Sequence, residues 1–285
     1  MIEDWSLPPL RKGYPADADL QARRVRAGGS PTPGSQPAEV MLGGTRCLVV
    51  EPSSGAGQGD ILYLHGGGYR LGSPLAYLAY AREIADRSAR RIVLPFYPLA
   101  PEQPFPAAIH TIVAAFQALP SPGTSVIAGD SAGGGLAAAL CILAARAGMR
   151  PAGLVMVSPM LDLAATSDSL ARNAHCDPLF SRAAVLDSAG LYLQGHDPSD
   201  PLVSALHADP DDLPPTLLLI GGAEVLLDEA LAFAHRLALA NRRVTLHVAP
   251  GMGHVWPLIA PQSPQGAEAI AAMAAFVTAL NPPNS

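Results

Sequence analysis

The stretch Val-Ile-Ala-Gly-Asp-Ser-Ala-Gly-Gly, residues 126–134, decides the fold of this 285-residue chain. A short apolar run ends at a serine flanked by glycines, and a helix of small residues follows, which is the G-x-S-x-G pattern of a nucleophile elbow. The sharp turn from strand to helix forces Ser131 into a strained backbone conformation, and Gly129 and Gly133 leave room for the close approach. The pattern therefore predicts a serine hydroxyl raised above a sheet, at the start of a helix.

A second glycine-rich turn stands upstream of the elbow, in the stretch Leu-Tyr-Leu-His-Gly-Gly-Gly-Tyr, residues 62–69. When a serine attacks an ester, a tetrahedral oxyanion forms and needs preorganised N–H donors close to it. Glycines allow backbone amides to approach that point without side chains. The predicted donors are the amides of Gly67 and Gly68, together with the amide of Ala132 after the serine. A plain glycine turn is the alternative, which the elbow downstream disfavours.

A histidine and an acid follow the serine along the chain. The histidine is His254, in the loop Ala-Pro-Gly-Met-Gly-His after the predicted strand 244–248. The acid ends the buried run Leu-Leu-Leu-Ile-Gly-Gly-Ala-Glu, residues 217–224. The order of nucleophile, acid and histidine is that of the α/β-hydrolases. Glu224 is the predicted acid because it stands at the end of a strand, and Asp228, one turn into the following helix, is the alternative.

Together these motifs resemble the hormone-sensitive-lipase-like esterases, in the bacterial branch (family IV) whose elbow reads Gly-Asp-Ser-Ala-Gly. The resemblance covers about residues 40–285 and includes Tyr-Pro-Leu-Ala-Pro-Glu, residues 97–102, and Ser-Pro-Met-Leu-Asp, residues 158–162. It implies an α/β-hydrolase fold, with a mostly parallel central sheet flanked by helices and a helical cap. It also implies a serine carboxylesterase that cleaves short- to medium-chain acyl esters through a Ser–His–Glu triad and an acyl-enzyme, without a cofactor or a metal.

The chain departs from the family pattern at two positions. The family usually carries Asp-Pro-Leu-x-Asp-Glu at the acid, whereas this chain has Glu-Val-Leu-Leu-Asp-Glu over residues 224–229, so the aspartate position falls on Glu224. The α/β-hydrolase template accepts glutamate as the triad acid. Pro98 stands where the family usually has arginine, so the family's ion pair at this position is not expected.

Apolar runs alternate with helical patterns, which predicts a mostly parallel sheet with helices on both faces. The predicted strands cover residues 46–50, 61–65, 91–96, 125–128, 153–157, 216–220 and 244–248, and the predicted helices cover 74–87, 107–119, 132–147, 225–240 and 266–280. We expect a catalytic domain of residues 46–163 and 209–285. Residues 1–45, irregular apart from a helix around 17–27, are the expected N-terminal cap segment, and residues 164–208 are the expected cap insertion.

The cap is expected to supply an apolar wall and to exclude bulk water from the serine. The predicted substrate-binding residues are Tyr69, Trp256 and Phe180. Further candidates, which would either line the wall or pack the cap on the body of the protein, are Leu179, Leu186 and Tyr192.

Composition and charge exclude several classes of partner. Hydrophobic residues make up 49% of the chain and charged residues 15%, so a large core is available. A net charge of −6 without a basic stripe argues against nucleic acid, and the cluster at residues 23–26 predicts a solvated helix face. No apolar run is long enough to span a membrane. The histidines lack metal-ligand spacing.

The cysteines and the N-terminus indicate a cytoplasmic location. Cys47, Cys141 and Cys176 form no C-x-x-C pair and are predicted to be small buried hydrophobes in a reducing compartment. Residues 1–5 are acidic and lack the apolar core of a signal peptide. The proline-dense turn favours a cis bond at Ala100–Pro101 or Phe105–Pro106.

Several functions stay open on the same residues. The same machinery could cleave an amide, a carbamate or a lactone, or transfer an acyl group to another alcohol. In relatives without a working histidine the fold serves as a small-molecule receptor. Relatives of this branch often form homodimers through the last strand and helix; here the alanine-rich helix at residues 267–280 would either form such an interface or cover the sheet.

Overall fold

One eight-stranded sheet organises the computed structural model, which describes residues 5–29, 37–57 and 59–280. Its strands are β1 (Ala38–Leu42), β2 (Thr45–Val50), β3 (Ile61–Leu64), β4 (Ile92–Pro95), β5 (Val126–Asp130), β6 (Gly153–Val157), β7 (Thr216–Gly221) and β8 (Val244–Ala249). They lie in the order β1-β2-β4-β3-β5-β6-β7-β8. The β1–β2 and β2–β4 pairs are antiparallel and the other five pairs are parallel. The predicted α/β fold with a mostly parallel sheet is confirmed.

Successive side chains of a strand point to opposite faces of the sheet, so each face has its own core. In β3, Leu62 and Leu64 pack into one core, while Ile61 and Tyr63 pack into the other. All four side chains are almost fully buried. Strands buried on both faces are continuous apolar runs, which is why the central strands stand out in the sequence.

Helices cover both faces of the sheet. The α-helices of the described residues are α1 (Ala18–Ala27), α2 (Leu78–Ser88), α3 (Ala107–Gln117), α4 (Ala132–Arg146), α5 (Ser169–Arg172), α6 (Arg182–Leu193), α7 (Leu227–Leu239), α8 (Trp256–Ile259) and α9 (Pro264–Leu280). Helices α3, α4 and α7 pack on the face of Leu62, and α2 and α9 pack on the face of Ile61. The helix predicted at 74–87 begins instead as a 3₁₀ turn, Pro74–Tyr77, and continues as α2.

The first strand corrects one prediction. Residues 1–45 were expected to be irregular outside one helix, and this is wrong for β1, which pairs antiparallel with β2 at the edge of the sheet. Gly43 and Gly44 form the turn between the two strands with φ values of 55° and 80°. Two consecutive residues with positive φ make the tight hairpin turn that matches the twist of the strands.

The segment predicted as the cap insertion, residues 164–208, lies between β6 and β7 and contains α5, α6 and a 3₁₀ turn at Ala205–His207. It contacts the N-terminal segment, because the guanidinium of Arg11 donates to the carbonyl oxygens of Leu193 at 2.8 Å and Gln194 at 2.6 Å. The division of the chain into a cap and a catalytic domain stays a prediction.

The arginine cluster of α1 is not simply a solvated helix face. Arg24 donates to both carboxylate oxygens of Glu102, at 2.6 and 2.8 Å, and to the carbonyl oxygen of Ala100 at 2.6 Å. The prediction holds for Arg26, which is exposed. Helix α1 is therefore tied to the proline-dense turn, in which the Ala100–Pro101 and Phe105–Pro106 bonds are both cis.

The cysteines are free, as predicted, but they differ in exposure. Cys47 and Cys141 are buried, whereas Cys176 is exposed in the loop after α5, so its predicted burial is wrong.

Among the described helices, none combines the length and the hydropathy needed to cross a bilayer. Residues 1–4, to which most of the signal-peptide prediction applies, lie outside the described residues.

Candidate active site

Ser131 occupies the turn between β5 and α4, as the elbow motif predicts. Its backbone has φ 51° and ψ −123°, in the region that L-residues rarely adopt. A Cβ atom at Gly129 would lie 2.4 Å from the carbonyl oxygen of Gly133, and a Cβ atom at Gly133 would lie 2.1 Å from that of Leu64. Only glycine fits at both positions, so the sharp turn that presents the serine depends on them.

Three side chains from three loops form one hydrogen-bonded series. The Oγ atom of Ser131 lies 3.0 Å from Nε2 of His254, in the loop after β8. The Nδ1 atom of the same ring lies 3.0 Å from Oε2 of Glu224, which follows β7. Because β5, β7 and β8 run parallel, their carboxyl ends meet at one edge of the sheet, and this brings the three residues together.

The carboxylate of Glu224 is fully buried and held from two sides. Its Oε1 atom accepts hydrogen bonds from the hydroxyl of Ser158 and the amide of Gly221, each at 2.6 Å. The Ser158 hydroxyl also accepts a hydrogen bond from the amide of Val255 at 3.0 Å. Ser158 therefore connects the acid to the histidine loop, a role that its place in the sequence did not predict.

Asp228, the alternative acid, lies in a different environment. It forms an ion pair with Arg172 and accepts a hydrogen bond from the amide of Ser169 at 2.9 Å. These contacts join α7 to α5. The carboxylate beside the histidine is that of Glu224.

The histidine has an environment suited to accepting a proton. Burial lowers the pKa of His254, but the hydrogen bond and negative charge of Glu224, with the charges of Asp177 and Asp130, raise it by more in total, so its pKa lies above the ordinary value. The ring of Phe180 stacks on the imidazole, with centroids 4.9 Å apart and planes 4° apart. This ring shields the histidine from solvent on one face.

The oxyanion loop (residues 65–69) brings backbone amides to the same place. Gly67 and Gly68 have φ values of 120° and 60°, and both line the cavity that contains Ser131. Their amides donate no hydrogen bond to any acceptor among the described residues. The amide of Ala132 opens α4 and has no intrahelical acceptor. Three backbone amides near Ser131 therefore lack an acceptor, and their role as oxyanion donors stays a prediction.

The amide of Gly66 is already used, and this fixes the oxyanion loop. It donates to the hydroxyl of Tyr77 at 2.9 Å and to Oδ1 of Asp130 at 3.1 Å. The hydroxyls of Tyr63 and Tyr77 donate to the same carboxylate, at 3.1 and 3.0 Å. Burial raises the pKa of Asp130 to about 6, against the opposing effect of these hydrogen bonds. The position of Asp130 next to the serine did not predict this bracing role.

His65, the first residue of the oxyanion loop, also stabilises it. Its Nδ1 atom lies 2.7 Å from the carbonyl oxygen of Gly66, and its ring stacks on Tyr97 with centroids 4.3 Å apart. Burial lowers the pKa of His65 to about 4, so the ring is neutral at pH 7. These contacts hold the oxyanion loop in place.

A cavity of about 240 Å³ holds the serine and the histidine. Leu179 and Phe180 line it, as predicted for the cap. Leu186 is 48% exposed and does not line it. The cavity is smaller than the range of roughly 300–1,000 Å³ that is usual for sites of drug-sized ligands.

Two predicted substrate-binding residues, Tyr69 and Trp256, are not among the residues that line this cavity. Tyr69 is buried and stacks on Tyr192, with centroids 4.0 Å apart and planes 6° apart. Trp256 is buried in the core that contains α9, and its indole nitrogen donates to the carbonyl oxygen of Gln265 at 3.3 Å. Both rings bury their apolar surface in packing contacts, and their part in substrate binding stays a prediction.

The lining residues that were not predicted include Arg23, Arg70 and Ser188. They come from α1, from the position directly after the oxyanion loop and from α6. Because they are far apart in the chain, no spacing in the sequence relates them.

Among the described residues, no group of three or more His, Cys, Asp or Glu side chains could hold a metal ion.

Known proteins share both the fold and much of the sequence. Residues 61–258 match a family model described as alpha/beta hydrolase fold. An esterase from Acinetobacter venetianus is 36% identical over 248 residues, which cover 85% of this chain and 82% of that protein. An acetyl-hydrolase from Streptomyces hygroscopicus is 38% identical over 243 residues, which cover 84% and 81%.

Solved structures give the same result. The crystal structure of an esterase from the bacterial hormone-sensitive lipase family matches with a TM-score of 0.86 and 35% identity. The match covers 98% of this chain and 95% of the esterase chain. The chain therefore belongs to the α/β-hydrolase family and, within it, to the hormone-sensitive-lipase-like esterases that its motifs resemble.

Proposed function

We propose that this protein hydrolyses carboxylic esters with Ser131 as nucleophile, His254 as general base and Glu224 as the acid that orients the histidine. The class of reaction follows from the family, whose similar members include an esterase and an acetyl-hydrolase. The assignment of roles rests on one observation: two 3.0 Å contacts link Ser131 to His254 and His254 to Glu224 at the wall of a cavity.

In this mechanism, Ser131 attacks the ester carbonyl carbon while Nε2 of His254 takes the hydroxyl proton. The negative charge that develops on the carbonyl oxygen is stabilised by the amides of Gly67, Gly68 and Ala132. The protonated histidine then gives its proton to the leaving alcohol. A water molecule repeats the sequence on the acyl-enzyme and releases the carboxylic acid, and no cofactor is required.

We propose short- to medium-chain acyl groups as substrates. The cavity of about 240 Å³ favours a short chain, and the rings and side chains of Phe180 and Leu179 supply an apolar wall for it. Tyr69 and Trp256 are not part of this proposal, because they lie outside the wall.

The test is hydrolysis of p-nitrophenyl esters of increasing chain length by the wild type and by Ser131→Ala. The wild type should release a burst of p-nitrophenol as the acyl-enzyme forms, and an organophosphate should label Ser131 and abolish turnover. Ser54→Ala changes an exposed serine and is the matched control. Full activity of Ser131→Ala would refute the nucleophile, and labelling without any turnover of esters, amides or lactones would favour a receptor.

We also propose that the protein forms a homodimer through β8. Among the described strands β8 pairs with β7 alone, and its side chains include Leu246 and Val248, which are 36% and 38% exposed. An open strand edge with apolar side chains favours pairing with a second copy. Helix α9 buries one side against the sheet and α2, and our proposal therefore places the interface on β8.

The remaining proposals concern location and partners. Free thiols at all three cysteines, including the exposed Cys176, support a cytoplasmic location. The negative net charge supports small esters rather than nucleic acid as partners.

A further inference from the structure

The cavity that contains Ser131 carries hydrogen-bond donors that ester hydrolysis does not use. They belong to Ser188 of α6, Arg70 after the oxyanion loop and Arg23 of α1, which together we call the donor subsite. The hydroxyl and guanidinium groups are polar, whereas the wall formed by Leu179 and Phe180 is apolar. As hydrogen-bond donors, these groups would contact an oxygen-bearing part of a substrate.

Ser188 provides a buried hydroxyl without a partner. The residue is 1% exposed, and its Oγ atom makes no hydrogen bond with any described residue. Oγ would lie 2.6 Å from a Cβ atom built at Gly68, so it stands beside the candidate oxyanion donors. Buried hydroxyls are nearly always hydrogen-bonded in native proteins, so a lone one in a cavity wall marks a position for a ligand oxygen.

Arg70 adds a fixed positive charge next to this hydroxyl. The residue is 7% exposed, and its Nε atom would lie 3.7 Å from the same Cβ position at Gly68. An ion pair with Asp187 holds one end of the guanidinium, and Nε of Arg24 donates to the Arg70 carbonyl oxygen at 2.8 Å. The Nε–H group of Arg70 is therefore held near the oxyanion loop.

Arg23 completes the subsite. It is half-buried, it lines the cavity, and its guanidinium makes no hydrogen bond or ion pair with any of the described residues. A guanidinium offers only donors, in a planar arrangement that fits a carboxylate.

Among the described residues, Asp130 is the one carboxylate that lines the catalytic cavity. Both oxygens of Asp130 accept hydrogen bonds from the oxyanion loop and two tyrosines, and Asp187 pairs with Arg70. Asp17 caps α1, and Asp17, Asp19 and Asp187 line a neighbouring cavity that shares Arg23 and Arg70 with the catalytic one but does not include the serine. Apart from Ser131 and His254, the polar side chains described in the catalytic cavity that are left to contact a ligand are those of Ser188, Arg70 and Arg23, and each carries a donor.

We propose that the donor subsite binds a free carboxylate, and that the preferred substrates are esters with a carboxylate a few bonds from the scissile carbonyl. The inference rests on the proposed ester hydrolysis and specifies its substrate class. Ser188 and Arg70, beside Gly68, bind the carboxylate oxygens, while Arg23 supplies the second positive charge. The scissile ester then lies between Ser131 and the oxyanion amides.

The test compares charged esters with neutral esters of the same shape. On the acyl side, monoethyl adipate is compared with ethyl 6-oxoheptanoate; on the alcohol side, 6-acetoxyhexanoate is compared with 7-acetoxyheptan-2-one. In at least one pair, kcat/KM for the charged ester should exceed that for the neutral one by about tenfold or more, and the ratio should fall as salt is raised. Whichever of the two pairs shows the preference tells whether the carboxylate lies on the acyl side or the alcohol side of the substrate.

Three variants assign the preference to the subsite. Arg23→Met and Ser188→Ala should each lower the charged-to-neutral ratio of kcat/KM several-fold, since each removes a donor. Arg26→Met removes the same charge from an exposed position of α1 and should leave the ratio unchanged. Thermal unfolding checks that each variant is folded, and Ser188→Ala breaks no hydrogen bond of the described protein.

A wild-type ratio of one or less in both pairs would overturn the inference, as would an equal loss of the ratio in Arg26→Met and Arg23→Met. These outcomes differ from failure of the proposed function. If Ser131→Ala abolishes hydrolysis of the neutral esters while the wild type shows no preference, ester hydrolysis stands and only the carboxylate subsite is rejected. If Ser131→Ala keeps full activity, the proposed function itself fails.

Discussion

At the scale of single residues, the environment of Glu224 distinguishes it from every other acid near the histidine. One carboxylate oxygen faces Nδ1 of His254 at 3.0 Å, and the other accepts two hydrogen bonds from Ser158 and Gly221. A carboxylate held this way keeps the imidazole in the tautomer that can accept the serine proton. Glu224 lies three residues after the end of β7, and its side chain reaches the histidine from there.

Replacement of Glu224 should therefore disable the histidine. In Glu224→Gln the amide no longer stabilises the imidazolium, and kcat should fall by about 10³–10⁴-fold. The rate of the wild type should rise with pH as His254 loses its proton, at a pKa above the ordinary value. Since Glu224 contributes more than Asp177 and Asp130 to raising this pKa, the inflection in kcat/KM should move to lower pH in the variant. Steady-state kinetics from pH 4 to 9 measure both effects.

The control for this prediction is Asp228→Asn. Asp228 pairs with Arg172, whose side chain is 53% exposed, so its loss should change kcat by no more than about twofold. An inactive Asp228→Asn variant beside an active Glu224→Gln variant would reverse the assignment of the acid.

At the scale of elements, the oxyanion loop depends on neighbours from the strand and turn beside it. Asp130 at the end of β5 and Tyr77 at the end of a 3₁₀ turn both bond the amide of Gly66. Their hydrogen bonds orient the loop so that the next two amides face the cavity. The loop is thus positioned by side chains that never touch the substrate carbonyl.

Removing one of these hydrogen bonds should loosen the oxyanion loop. In Tyr77→Phe the ring remains but the hydroxyl that bonds Gly66 and Asp130 is lost. A loss of about 1 kcal/mol in the transition state would lower kcat roughly fivefold, with a smaller change in KM. Tyr80→Phe is the matched control, because its hydroxyl bonds neither Gly66 nor Asp130. Equal kcat values for the two variants would argue against the bracing role.

At the scale of the whole molecule, β1 and β8 are the two edge strands of the sheet. Strand β1 is antiparallel to its neighbour in a hairpin and β8 is parallel to its neighbour, and within the described residues each leaves one edge unpaired. A symmetric partner could pair with the edge of β8 in antiparallel orientation and cover Leu246 and Val248.

If β8 forms the dimer interface, Val248→Lys should convert the dimer into a monomer. A lysine at an edge strand disfavours pairing with another strand and, at an exposed position, leaves the fold intact. Light scattering during gel filtration should give twice the 29.4 kDa chain mass for the wild type and one chain mass for the variant. Val25→Lys, at a site on α1 that is 83% exposed, makes the same change away from β8. A monomeric wild type would refute the dimer.

The elements differ in how well the sequence predicts them. The central strands and the helices packed on them were predicted within a few residues, because continuous apolar runs bounded by glycine and proline are local signals. Strand β1 was missed, since an exposed edge strand has no apolar run and depends on pairing with β2. The cluster on α1 was taken for a solvated face because the partner of Arg24 is distant in the chain.

By itself, the sequence determined the family, the fold class and the residues proposed for the triad and the oxyanion donors, because a sharp strand-to-helix turn and crowded backbone amides require particular residues at short spacings. Only the tertiary structure decided that Glu224 rather than Asp228 faces His254, that Tyr69 and Trp256 turn into the cores, and that Arg23, Arg70 and Ser188 share a cavity with Ser131. These outcomes depend on packing between segments far apart in the chain, where the direction of a side chain is set by the burial and hydrogen bonds available in three dimensions and not by its neighbours in sequence.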